Sequence, residues 1–121
     1  MYAYIDGDDI GLKIENSFMN NDEKRLMNIN NSVKDVVNEI SLYLVNSGYE
    51  IIFSGADGII CKREEMDAKE LLDYVRGRDN KLTFSIGIGL SLRDSYLALR
   101  YAKSNGKNIA AIFNKNFKLI V

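Results

Sequence analysis

The chain has no histidine, no proline and a single cysteine in 121 residues. Without histidine there is no Ser-His-Asp triad, no histidine general base and no ordinary zinc enzyme. The lone Cys61 excludes an internal disulfide; within the apolar run Ile59-Ile60-Cys61 it reads as a small core residue. The absence of proline and of any low-complexity tract leaves no sign of a linker, so residues 1–121 read as one domain. No secretory leader is visible and no run is long enough to span a bilayer, so a cytoplasmic location and no membrane insertion are expected. Charge of either sign is not in excess. Sixteen Lys and Arg stand against seventeen Asp and Glu, a net charge of -1, so no overall basic field draws the chain to DNA or to a membrane surface. A polyphosphate partner would have to be met by a local basic cluster together with a metal ion. The remainder, 46% hydrophobic and 27% charged, is ordinary for a soluble domain that buries one core.

What is there is concentrated at the start. Met1-Tyr-Ala-Tyr-Ile-Asp-Gly-Asp-Asp-Ile-Gly11 is a short apolar strand that ends in a burst of acid. Asp6, Asp8 and Asp9 share a turn bracketed by Gly7 and Gly11. Carboxylates crowd together against their own repulsion when a cation offsets it, and hard oxygen donors on a short turn suit Mg2+ or Mn2+. Gly7 lets the backbone approach closely enough for its carbonyl to serve as a ligand. The plainer reading of Asp8 and Asp9 is that they cap the helix that follows.

Along the chain, residues 2–6 read as a strand and 9–19 as a short helix with Ile10, Ile14 and Phe18 at steps of four. A long helix runs from the Asn20-Asn21-Asp22 break to about Asn46, with Leu26, Ile29, Val33, Val36, Ile40 and Leu44 on one side. Ser47-Gly48 ends it. Two β-branched runs, 49–53 and 58–62, flank Ser54-Gly55-Ala56-Asp57-Gly58, whose Asp-Gly pair is a hairpin signal. A helix over 65–76, a strand over 81–89, a helix over 92–105 and strands near 108–113 and 117–121 complete the order β-α-α-β-β-α-β-α-β-β. The central hairpin argues against a wholly parallel, doubly wound sheet. An α+β fold with a ferredoxin-like split βαβ core fits instead, with helices packed on one face of a mostly antiparallel sheet.

Two constellations carry chemistry. Asp6 ends the first strand and Asp57 sits in the hairpin turn. In a ferredoxin-like sheet the first strand lies beside that hairpin, so the two carboxylates would face each other and, with the Gly7 carbonyl, hold one or two divalent ions that activate a hydroxyl and steady a leaving pyrophosphate. Alone, Asp57 is a plain turn residue. The second constellation is Tyr96, Arg100, Lys103 and Lys107, spaced by four, three and four on one face of the last helix, a basic stripe suited to phosphates. Cations at a helix C-terminus are also favoured by the macrodipole, which accounts for Lys107 without any ligand. Three familiar patterns fail. The position where a calcium loop needs Glu is Ser17. Gly87-Ile-Gly89 lacks the third glycine of a dinucleotide loop, and no phosphate-binding P-loop occurs. A haloacid dehalogenase-type phosphatase would need a parallel sheet and further elements for which this chain has little room.

Ser54-Gly55-Ala56-Asp57-Gly58 resembles the signature hairpin of GGDEF nucleotide cyclases. Phe84-Ser85-Ile86-Gly87-Ile88-Gly89 resembles their Ser-x-Gly strand, Tyr101-Ala102-Lys103-Ser104-Asn105-Gly106-Lys107-Asn108 their closing segment, and Asp94 also fits their pattern. The opening Ile5-Asp6-Gly7-Asp8-Asp9-Ile10-Gly11 is most similar to the palm of minimal CRISPR polymerases (mCpol). The resemblance runs nearly end to end, with the motifs in order. It implies Asp6 and Asp57 as catalytic metal carboxylates, the Gly7 carbonyl as a backbone ligand, and Gly55 and Ala56 as the close approach to nucleotide phosphates. It further implies Lys103 on the terminal phosphates and Asp9, Ile10 and Gly11 as helix-start amides for the same anion; the basic stripe, read from its spacing, adds Arg100 and Lys107 as phosphate-binding residues.

The implied activity is nucleotidyl transfer from NTPs to a cyclic di- or oligonucleotide signal, with Mg2+ or Mn2+, in antiviral defence. A homodimer brings two nucleotides together, and a downstream effector senses the product. The chain departs from the GGDEF pattern at Ala56 and at Gly58, where an acid is missing. It also has Ile14 where those cyclases carry a guanine-reading Asn, which favours ATP. Two alternatives share the scaffold: a nucleotide hydrolase of the GTP cyclohydrolase III kind, and a nucleotide-binding sensor without turnover.

Overall fold

In the computed structural model, which describes residues 1–79 and 81–121, the expected element order is present. It comprises β1 (Tyr2–Gly7), α1 (Ile10–Met19), α2 (Glu23–Asn46), β2 (Glu50–Gly55), β3 (Gly58–Lys62), α3 (Ala68–Val75), β4 (Phe84–Gly89), α4 (Leu92–Ser104), β5 (Ala110–Asn114) and β6 (Asn116–Ile120). The strands form one sheet in the order β2-β3-β1-β4-β5-β6. Every pairing is antiparallel except β4 with β5, which the α4 crossover joins in parallel. This is an α+β, palm-like arrangement with β1 inside the sheet, flanked by β3 and β4.

Caps set the helix starts. The Asp22 carboxylate accepts from the Arg25 amide at the head of α2, and Ser91 accepts from the Asp94 amide at the head of α4. Asp67 accepts from the amides of Lys69 and Glu70, which is why α3 begins at Ala68 rather than at 65. The strand expected over 81–89 begins only at Phe84, because its partner β1 turns away after Gly7 and the ladder ends at the Gly7–Phe84 pair.

The sheet is covered on both faces, not on one as its ferredoxin-like order suggests. Alternation along the central strands decides this. Ala3, Ile5, Ile59, Cys61, Phe84, Ile86, Ile88 and Ala110 point to one side, where they pack with α2 and α3 around Ile40, Leu44, Leu71 and Leu72. Ala111 points to the other side and packs with Ala98 and Ala102 of α4. Gly87 explains how α4 comes so close: a Cβ there would fall within the van der Waals radii of Ser95 O and Leu99 N. A helix seated directly on strand backbone places its C-terminal turn beside the end of β1, where the acids are. Toward β3 and β2, this second face is left uncovered.

Candidate active site

β1 is pinned on both sides where it ends. The Gly7 amide donates to the Asp57 carbonyl across the hairpin at 2.9 Å, and the Asp8 amide donates to the Thr83 carbonyl at 2.9 Å. Gly7 is obligatory: a Cβ there would stand 2.7 Å from the Ile10 side chain and 3.3 Å from the Asp57 carboxylate. Asp6, Asp57 and the Gly7 carbonyl are thereby brought together around the end of one strand, the grouping expected from the sequence.

The structure adds a cation to that grouping. The Lys103 ammonium, reaching down from α4, donates to the Gly7 carbonyl at 2.7 Å and lies 3.0 Å from Asp6 Oδ2 and 3.2 Å from Asp8 Oδ1. Three oxygens from consecutive residues converge on one positive centre. Burial by itself would depress this lysine; the hydrogen bond and charge of Asp6, with Asp8 behind it, outweigh burial and hold it above the usual lysine value. Asp6 is moved the other way from a simple ion pair. Burial raises its carboxyl above the usual range, Asp57 and Asp8 add to the rise, and Lys103 offsets only part of it. Lys103 therefore neutralises the acids here, whereas the resemblance assigns it to the terminal phosphates.

Asp8 is the residue whose place the sequence hid. Only 3% exposed, it caps no helix. Its Oδ1 accepts from Ser85 Oγ at 2.7 Å and from Lys103; its Oδ2 accepts from Thr83 Oγ1 at 2.8 Å and from the Asn108 amide at 3.0 Å. The Ser-x-Gly strand and the closing Lys-x-x-Gly-Lys-Asn segment, remote in sequence, thus meet on one carboxylate. The signal was present in those two motifs, but nothing local in the chain connects them to residue 8.

Lys107 is not on α4, which ends at Ser104 with Asn105 as its C-cap. It lies in a run of three left-handed residues, Gly106, Lys107 and Asn108, with φ of 112°, 64° and 53°. A non-glycine residue held there is strained, and such strain persists where the surroundings over-determine it. The run turns the Asn108 amide to Asp8 and the Lys107 ammonium to Asp9, with which it forms an ion pair. That contact holds the Asp9 carboxyl below its ordinary value. Asp9 occupies the N-cap position of α1 with φ of 58°, yet its side chain makes no cap bond. The first-turn amides of α1, at Ile10 and Gly11, are left for an external acceptor.

Those amides open into a cleft of about 740 Å³ between α1 and α2, lined by Ile10, Gly11, Ile14, Met27, Asn30 and Val33 and bounded by Ala56 and Asp57. Its size and mostly apolar lining suit a nucleoside. A second cleft of about 660 Å³, around Lys13, Lys24, Arg25 and Lys81, contains neither acid of the pair. Gly55 lies under the Phe53 ring, and Ala56 takes a left-handed φ of 50° in the hairpin. Arg100 is exposed on α4 and does not join the acid cluster.

Whether these residues fit a divalent ion turns on the donor set. Among the described residues, no three histidine, cysteine or carboxylate side chains gather into a self-contained metal site. Mg2+ needs no such cage; it is commonly held by one or two carboxylates together with water and substrate phosphates. Asp6, Asp57 and the Gly7 carbonyl meet that requirement, and an oxygen cradle already filled by an ammonium shows that the place favours positive charge.

A family model, the minimal CRISPR polymerase domain, matches residues 2–113. No match is found among curated proteins, and none among solved structures.

Proposed function

This chain belongs to the minimal CRISPR polymerase family, a CRISPR-associated, polymerase-like group, and we propose that it is a metal-dependent nucleotidyltransferase that converts NTPs, with ATP favoured, to a cyclic di- or oligonucleotide signal. The observation that carries this reading is the oxygen cradle of Asp6, Gly7 and Asp8 around the Lys103 ammonium, close in the chain to Ile10 and Gly11, which line the α1–α2 cleft together with Asp57.

The donor nucleotide lies in that cleft, its base among Ile10, Ile14, Met27 and Val33 and its phosphates toward the α1 amides. Ile14 offers no partner to the N1–H and 2-amino group of guanine, which supports ATP. Asn30 and Lys34 supply hydrogen-bonding groups for a purine ring. Mg2+ or Mn2+, when bound by Asp6, Asp57 and the Gly7 carbonyl, supplies charge neutralisation at the reacting phosphate. Lys103 has a flexible four-carbon stem, so its ammonium exchanges the acids for the phosphates as the nucleotide arrives. Lys107 and Arg100 add positive charge on that side.

A ribose hydroxyl oxygen then attacks the α-phosphorus. The new P–O bond forms as the bond from the α-phosphorus to the bridging oxygen breaks, pyrophosphate departs, and the hydroxyl proton passes to solvent. Closing a ring needs two nucleotides in opposed orientations, for which two chains face each other in a homodimer. The product is read by a separate effector in antiviral defence.

The test is incubation of the purified chain with each labelled NTP, singly and mixed, with Mg2+ or Mn2+, and resolution of products by chromatography and mass spectrometry. A phosphatase-resistant cyclic product with released pyrophosphate is expected, abolished by Asp6→Ala and by Asp57→Ala. Product formation that survives both substitutions would refute the assignment. Monophosphates or opened rings would indicate the hydrolase, and bound but intact NTP the sensor.

A further inference from the structure

The cleft of about 660 Å³ on the other flank of α1 is lined mainly by hydrogen-bond donors. Lys13 comes from α1, Lys24, Arg25, Asn28 and Ser32 from α2, and Lys81 from the segment before β4. The three-four spacing of 25, 28 and 32 sets those side chains on one flank of α2. Among the described residues, none of these six side chains donates to a protein acceptor. The bonds in which Lys13, Arg25 and Lys81 take part use their backbone atoms. None of the four cations is in an ion pair among the described residues, whereas Lys62, Lys69, Arg78, Lys103 and Lys107 each meet an acid.

Two acids border the cleft, and both turn to the backbone. Asp22 Oδ1 accepts from the Arg25 amide at 3.0 Å, and Asp79 Oδ1 accepts from the Lys81 amide at 2.7 Å. Four cations against two acids leave a local excess of two positive charges, on a chain whose net charge is -1. Unpartnered donors around such an excess call for an anion rich in acceptors. A guanidinium fork and ammonium groups together suit phosphate oxygens. The concave shape and volume are those of a small-molecule site. No aromatic side chain is in the lining, so the bases of a nucleic-acid strand would find no platform to stack on.

We propose that this cleft is a second anion site, which takes a di- or triphosphate chain without a metal ion and, when filled, weakens donor binding across α1. Occupancy of the site is independent of the nucleotidyltransferase reading; its effect on the donor rests on that reading. The two clefts share a wall. α1 gives Ile10, Gly11 and Ile14 to the donor cleft and Lys13 to this one, and Ile29 of α2 borders both. The Lys13 amide donates to the Asp9 carbonyl at 3.1 Å, so one helical turn, about 5 Å, separates Lys13 from the head of α1. That is within the roughly 8 Å over which charges act at physiological ionic strength. Negative charge held by Lys13 therefore repels donor phosphates at the Ile10 and Gly11 amides. A suitable chain is present in the pyrophosphate that the proposed reaction releases and in any free NTP.

NMR on the chain in EDTA tests the site, with tripolyphosphate as the probe. The Arg25 side-chain N–H and the Lys81 amide are expected to shift as the anion is added. Lys24→Glu combined with Lys81→Glu reverses two exposed charges, the first at a helix head, where an acid is favoured. The double variant should weaken that response at least about tenfold, and should keep any response of Gly11 and Met27 in the donor cleft. Parallel titrations with pyrophosphate and ATP distinguish the sources. ATP binding no tighter than tripolyphosphate assigns the site to the phosphate chain alone, as in released pyrophosphate; tighter binding assigns it to a whole nucleotide. The effect across α1 is read from α,β-methylene-ATP and Mg2+ binding, followed at the Met27 methyl. Added tripolyphosphate should weaken this binding roughly two- to fivefold more in the wild type than in the double variant, since both meet the same loss of free Mg2+ and the same direct competition. Shifts confined to Gly11 and Met27, or a double variant that binds tripolyphosphate as well as the wild type does, would overturn the site. So would a short single-stranded RNA that displaces tripolyphosphate at lower concentration than ATP does, which would show a nucleic-acid surface. Equal sensitivity of the wild type and the double variant would overturn the effect on the donor. If α,β-methylene-ATP binds nowhere on the chain, the nucleotidyltransferase reading loses its donor site, and the titration in EDTA still decides the anion site.

Discussion

Replacing Asp8 by Asn removes one charge and changes almost no volume, so it separates the residue that holds the site from those that act in it. Each Asp8 oxygen accepts two hydrogen bonds. Oδ1 takes the Ser85 hydroxyl and the Lys103 ammonium, and Oδ2 takes the Thr83 hydroxyl and the Asn108 amide. The hydroxyls can reverse, but the ammonium and the backbone amide can only donate. An Asn amide nitrogen at either place therefore faces a donor, and a buried donor without a partner costs about 1–3 kcal/mol. Weakening of the partly exposed Lys103 contact adds at most about 1 kcal/mol.

The expected loss is thus about 1–4 kcal/mol, a fall in melting midpoint on the order of 10 °C for a chain of this size. Urea denaturation at pH 7 measures it, with Asp6→Asn as the control. Burial raises the Asp6 carboxyl, so the fold prefers it protonated. Ionised Asp6 therefore costs stability once pH exceeds its unfolded value, and a neutral amide there is expected to leave stability unchanged or slightly improved while product formation is lost. A loss below about 0.5 kcal/mol for Asp8→Asn, or an equal loss for Asp6→Asn, would refute the division of roles.

Three further outcomes are expected. Ala56→Gly relieves a left-handed alanine at φ 50° and should stabilise the chain by up to about 1 kcal/mol in the same denaturation assay, the relief being offset in part by the freer unfolded chain; destabilisation would show that the hairpin strain is not real. Burial pushes the Cys61 thiol up to about 12. The unfolded thiol releases its proton near pH 8.5 while the folded one keeps it, so stability is intact below that pH and falls above it by about 1.4 kcal/mol per unit; the difference in slope between wild type and Cys61→Ala between pH 9 and 10.5 isolates this contribution. Gly87→Ala forces α4 off the sheet backbone, with which its Cβ would overlap. It should cost about 3 kcal/mol or more and detach Lys103 from the acids; near-normal stability by denaturation would show that α4 is not seated as described.

The sequence alone determined the elements, their order and the residues of the acid pair. These are local properties: alternation and three-four spacing record which side of a segment is buried, Asp-Gly marks a hairpin, and carboxylates between glycines mark a turn that needs a cation. Asp6, Gly7 and Asp57 were legible because strand order alone brings the first strand beside the hairpin. Tertiary structure decided what depends on two distant segments meeting. It placed α4 on the opposite face from α2 and α3, because Gly87 has no side chain to keep a helix away. It took Lys107 off the helix and turned it to Asp9 through three left-handed residues. It drew Thr83, Ser85, Lys103 and Asn108 onto the Asp8 carboxylate, since a buried charge must find its hydrogen bonds wherever the packed chain supplies them.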